Sequence, residues 1–146
     1  MNVVKALSVV IAVSLLPLTP CMAQDTGIPS IIGKGFETFQ KDGSLAAVNV
    51  WLAGSARESD DGVQDQANAR LGQLQTGFGR IIGYEPVRSV VLSPSTRRIY
   101  LAVKFEKGVA WMSFDCYRPA RDWIVTRFLI DTNANVVLPP NILGGQ

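Results

Sequence analysis

The sequence predicts an α+β domain, with N-terminal helices packed on one face of a curved antiparallel sheet of about four strands. Two observations carry this reading. Between residues 31 and 78 apolar residues recur at helical spacing; beyond them comes a β-branched run at Val87–Leu92, a period-two alternation at Arg98–Phe105, and a strand at Trp123–Ile130 that is apolar on both faces apart from Thr126 and Arg127. The two patterns occupy separate halves of the chain. The strands should therefore follow one another as a meander, without helices between them.

Residues 24–30, with Gly27, Pro29 and Ser30, read as a flexible lead-in. Ile32, Phe36 and Phe39 then recur at i, i+4 and i+7, which predicts a first helix. Gly33 and Gly35 weaken it, each by up to about 1 kcal/mol relative to Ala. Asp42-Gly43 ends it. Ser44 fits the N-cap of a second short helix, which places Leu45, Val48 and Leu52 on one face with Trp51 beside them. Gly54 stops this helix, and residues 55–62 are polar and turn-rich. Val63, Ala67, Leu71, Leu74 and Phe78 form the stripe of a third helix. Asp60 and Asp61 stand where a helix N-terminus favours negative charge, and Gly77 and Gly79 mark the end.

Val87 to Leu92 is β-branched and stops at Ser93-Pro94-Ser95, a turn. From Arg98 to Phe105 the chain alternates: Ile99, Leu101, Val103 and Phe105 point one way, Tyr100, Ala102 and Lys104 the other. Glu106-Lys107-Gly108 is a hairpin signal. Val109–Tyr117 and Trp123–Ile130 complete the sheet around a turn at residues 118–122. The domain is bounded at 31–138, and residues 139–146 form a C-terminal tail.

Residues 1–23 have the three parts of a cleavable secretory signal peptide. Lys5 supplies the positive end, Ala6 to Leu16 the apolar run, and Cys21-Met22-Ala23 the small residues before a cut at Gln24. The run is about 11 residues, and a bilayer span needs roughly 20. The chain is thus expected to be exported, periplasmic or secreted, with no stable membrane span after cleavage. Leu18-Thr19-Pro20-Cys21 loosely resembles a lipobox, but Pro20 stands where a small residue belongs. Lipidation at Cys21 is therefore set aside.

The 146 residues carry 14 Lys and Arg against 12 Asp and Glu, and no histidine. Losing Lys5 leaves a net charge near +1, and no stretch is strongly basic, which argues against a nucleic-acid partner. Without histidine there is no His general base, no Ser-His or Cys-His nucleophile pair and no His metal ligand. Cys116 is the one cysteine beyond the leader, so no internal disulfide forms there. No cofactor or metal is implied.

Three helices followed by a four-stranded meander resemble the NTF2-like, or cystatin-like cone, superfamily in a small exported form. The residues carrying the resemblance are the stripe Val63 to Phe78, the hairpins Tyr100–Tyr117 and Cys116–Ile130, and the segment Trp123-Ile124-Val125. It covers about residues 30–135 and rests on element order, not on a specific motif. It implies a sheet curving around a pocket that the helices close. Its members include isomerase-like enzymes, cyclases, transport factors and dimerisation modules. The cystatin signature Gln-x-Val-x-Gly is absent.

Within such a cone, Asp115 and Tyr117 share a strand face with Trp111 and Ser113, and Tyr100 lies on the neighbouring strand. The resemblance implies that an Asp with a Tyr could act there as base and oxyanion donor. The competing reading makes this a solvent or dimer face, with Asp115 paired to Arg118, Arg121 or Arg127. Cys116 points the other way with Ala110, Met112 and Phe114, as a small buried hydrophobe. Arg97-Arg98, with Arg88 nearby, could meet an anion or form a solvated hairpin end. Trp111 and Arg127 are the candidate ligand contacts, and Glu58 to Asp61 is the exposed loop an inhibitor or immunity protein would use. The sequence reading settles on a non-catalytic exported domain that binds a small apolar ligand or a protein partner, as a homodimer through the Trp111 face. The alternative is a cone-fold isomerase, cyclase or hydrolase using Asp115 with Tyr117 or Tyr100.

Overall fold

The computed structural model describes residues 27–144. The leader, Cys21 and the cut before Gln24 lie outside them. Three helices come first: α1 (Ser30–Asp42), α2 (Ser44–Leu52) and α3 (Asp61–Phe78). Strands β1 (Ile81–Ser93), β2 (Thr96–Phe105), β3 (Gly108–Tyr117) and β4 (Ile124–Asp131) follow, and then a single turn of helix, α4 (Ala134–Val137). The strands form one curved, open antiparallel sheet in the order β1-β2-β3-β4. The predicted α+β class therefore holds. Among the described residues no helix is long and apolar enough to cross a membrane.

The helices and one sheet face share a core. Ile99, Leu101, Val103 and Phe105 of β2 and Ala110, Met112, Phe114 and Cys116 of β3 are all buried, as the period of two predicts. Ile32, Phe36 and Phe39 cover them from α1, and Leu71 and Leu74 from α3. Trp51 lies at the centre, fully buried. Its ring meets Phe36 at 5.0 Å, Phe114 at 5.4 Å and Phe128 at 5.5 Å, each near edge-to-face, as aromatic quadrupoles prefer. Its indole N–H donates to the Ile32 carbonyl at 3.1 Å. Gly35 makes this possible: a Cβ there would stand 1.9 Å from the indole nitrogen. The same logic holds at Gly108, where a Cβ would come within 2.9 Å of the Phe78 ring.

Two features of α2 differ from expectation. Its buried face is Ala47, Val48, Trp51 and Leu52, whereas Leu45 is 46% exposed. The helix rotates to bring Trp51 inward, because the indole offers far more apolar area than Leu45. Ser44 is already helical and does not cap. Its hydroxyl donates instead to Asn68 Oδ1 at 2.6 Å and ties α2 to α3. On α3 the expected charge placement is present, with Asp60 at the cap accepting from the Val63 N–H at 3.1 Å.

The opposite sheet face is also covered, but by the chain itself. Beyond β4 the backbone turns at Asp131, whose Oδ1 accepts from the Asn133 N–H at 2.8 Å, and enters α4. Val137 and Leu138 pack on Tyr100, with Trp111, Leu129, Val90 and Ile142 around them. Tyr100 is only 6% exposed and Trp111 half-buried. Part of the face behind the expected homodimer, around Trp111, is therefore covered within the chain, whereas Tyr117 stays 41% exposed.

Strand β1 is an outer edge of 13 residues, broken by register shifts at three places. Each shift skips one residue: Ile82, Val87 and Leu92, all exposed apolar side chains.

Candidate functional site

The space between sheet and helices, where a cone would hold its pocket, is filled by Trp51, Phe36, Phe39, Met112 and Phe114. The polar candidates stand on the other face. Asp115 and Tyr100 line a small outer pocket of about 130 Å³, together with Arg98, Ser113, Arg127 and residues of α4. Tyr117 lies at the end of β3, is 41% exposed and does not join them.

Asp115 is paired, but with none of the expected arginines. Its partner is Arg98, directly opposite on β2. The guanidinium engages both oxygens, Nε to Oδ1 at 2.5 Å and Nη2 to Oδ2 at 3.0 Å. This fork-on-fork geometry is the strong form of the contact. The Asp115 carboxylate raises the Arg98 pKa above its ordinary value. Both oxygens thus already accept from a guanidinium, the arrangement of a structural ion pair.

Cys116 is 3% exposed within the core face. Burial, with help from the Asp115 charge, pushes its thiol up to about 12. A reactive thiol needs the opposite shift.

Arg97 and Arg98 are adjacent in a strand and so point to opposite faces. Arg97 and Arg118 both lie over the Trp123 ring, at 4.8 and 5.0 Å from its centroid. Arg97 donates to the Gly27 carbonyl at 3.0 Å and Arg118 to the Pro94 carbonyl at 3.1 Å. This stack holds the lead-in, the β1–β2 turn and the start of β4 together. The loop Glu58 to Asp61 is likewise occupied locally. Glu58 Oε2 accepts from the Gly54 N–H at 3.0 Å, and Asp60 caps α3.

A second concavity, which takes in the candidate Arg127, was not anticipated as a whole. It is a groove of about 360 Å³ between α3 and β4. Its floor is apolar: Leu52 from α2, Val63 and Ala67 from α3, Phe128 and Ile130 from β4. Three guanidiniums line it: Arg57 from the α2–α3 turn, Arg70 from α3 and Arg127 from β4, with Gln66 beside them. Arg127, a sequence candidate, thus belongs to the groove, whereas Trp111 lies under the C-terminal segment and lines neither concavity.

Several local choices open this groove. The α2–α3 turn is rigid rather than loose, since Ser55 Oγ donates to the Leu52 carbonyl at 2.7 Å and the Asp60 N–H to the Arg57 carbonyl at 3.2 Å. Arg70 is held by Asp131 at 3.2 Å, which also anchors the turn into α4. Strand β4 is one of the two edges of the sheet, so no further strand fills the gap beside it. The signal available in the sequence was the alternation of Val63, Gln66, Ala67 and Arg70 on α3, which marks a half-buried stripe with a polar border.

Among the described residues, no three His, Cys, Asp or Glu side chains gather closely enough to hold a metal ion. No family model, curated protein or solved structure matches this chain.

Proposed function

We propose that the chain is an exported, non-catalytic binding domain whose site is the groove between α3 and β4, taking a small ligand with an apolar body. The observation that carries this is the apolar floor of Leu52, Val63, Ala67, Phe128 and Ile130, open to solvent at the sheet edge. Its volume of about 360 Å³ lies within the range of about 300–1,000 Å³ common to small-molecule sites. The ion-paired Asp115 and the buried Cys116 support a binding role over a chemical one. Export rests on the leader pattern of residues 1–23.

The helices-first order and the curved open sheet support a place among NTF2-like cones. On that reading the filled interior has moved the ligand from beneath the sheet to its β4 edge.

The test is titration of the purified protein with N-phenyl-1-naphthylamine, a neutral apolar fluorophore. Saturable binding is expected, and Ala67→Phe, which fills the groove floor, should abolish it. A variant that melts like the parent yet still binds the probe would overturn the assignment.

A further inference from the structure

We infer that the ligand is an organic acid, a free long-chain carboxylate whose head is held between Arg57 and Arg127. This deepens the groove reading above and rests on it. The groove is lined by three guanidiniums and no carboxylate. Only Arg70 has an acidic partner, Asp131. Among the described residues no carboxylate lies within 4.0 Å of Arg57 or Arg127. Nearby acids are committed elsewhere: Asp115 to Arg98, Glu58 to a backbone N–H, and Asp60 to the α3 cap.

Arg57 comes from the α2–α3 turn and Arg127 from β4, and both line the groove with its apolar residues; Arg127 also reaches the outer pocket, opposite Asp115 on β3. Arginine presents a planar fork that matches a carboxylate, and it sheds water more readily than lysine does. A ligand with one anionic end and an apolar body satisfies both halves of the lining at once. A neutral apolar ligand would bury the floor and make no use of the two guanidiniums beside it.

Competition against bound N-phenyl-1-naphthylamine separates the two layers of the argument. Decanoate and 1-decanol share one chain length and differ in head charge. Decanoate should displace the probe at about tenfold lower concentration, as expected for hydrogen bonds to a charged group. Raising the salt concentration should narrow the gap. In the double variant Arg57→Gln with Arg127→Gln, decanol should compete as before and decanoate should lose its advantage. Both arginines are exposed, and retained decanol binding shows that the fold is intact. Equal competition by the two ligands in the parent protein overturns the carboxylate inference and leaves the groove standing. A preference that survives in the double variant overturns the assignment to these residues, as does tighter binding of an acidic, extended peptide along the β4 edge. Failure of the probe to bind at all refutes the groove itself.

Discussion

Replacing Gly35 with Ala sets helix propensity against packing, and packing should win. An alanine in the middle of α1 gains up to about 1 kcal/mol of intrinsic helix stability over glycine. The new Cβ, however, would stand 1.9 Å from the Trp51 indole nitrogen and 2.3 Å from Cδ1. Ordinary contact between such atoms is about 3.5 Å, so the ring must retreat by about 1.5 Å. It has nowhere to go, because Phe36, Phe114 and Phe128 enclose it. Overpacking of this kind costs about 1–3 kcal/mol. The retreat also strains or breaks the hydrogen bond to Ile32, which leaves a buried donor unpaired at about 1–3 kcal/mol. The expected net loss is about 2–4 kcal/mol, or about 8–16 °C in Tm for a domain of this size. Thermal unfolding followed by circular dichroism measures it. Gly72→Ala, in the middle of α3, is the matched control. Nothing lies within 4 Å of its would-be Cβ, and it should stabilise by roughly 0.5–1 kcal/mol. A Gly35→Ala variant as stable as the parent would refute the packing argument.

Four further outcomes follow. The Cys116 thiol is raised in the folded state, so its neutral form adds stability below about pH 9 that is lost as pH rises toward 12; unfolding titrations from pH 8.5 to 10.5 should show a decline, of up to about 1.4 kcal/mol per unit, that Cys116→Ala removes. Trp123→Ala strips the ring from two guanidiniums and should lower stability by about 1–2 kcal/mol in urea, with no gain in protein–protein association. Leu52→Ala should cost about 2–5 kcal/mol, whereas Leu45→Gln on the same helix should change stability by no more than about 0.5 kcal/mol, a contrast that checks which face of α2 is inward. Mass spectrometry of the exported protein should find Gln24 as its first residue, and an intact Met1 or a lipidated Cys21 would contradict the export reading.

Periodicity made much of the fold legible. The α3 stripe and the alternation in β2 and β3 each name the residues that the core contains, because one buried face per element leaves little freedom in register. Helix α2 was harder: its nine residues are apolar nearly all round, so spacing alone does not say which side turns in. There the large indole decides, and its seat depends on Gly35, a residue that local propensity counts as a defect. The partner of Asp115 was legible in principle. The turn at Glu106-Lys107 fixes the β2–β3 register, and counting outwards from it places Arg98 opposite Asp115. The groove was not legible, because it arises where three elements distant in sequence fail to meet. Arg127 could be suspected from its strand, but Arg57 sits in a polar turn whose composition signals only exposure.

The three skipped residues of β1 bear on how the chain behaves in a crowded compartment. A 13-residue edge carrying the exposed apolar residues Ile82, Val87, Val91 and Leu92 invites pairing with another strand. An incoming strand would need a straight, regularly spaced ladder to extend it. Here the shifts at Ile82, Val87 and Leu92 restart the ladder every few residues, and Pro86 removes a donor midway. No stretch between shifts exceeds four residues, too short to hold a stacked copy in place. The edge thus keeps its apolar side chains while refusing to serve as a template, and growth by strand addition stops before it can propagate.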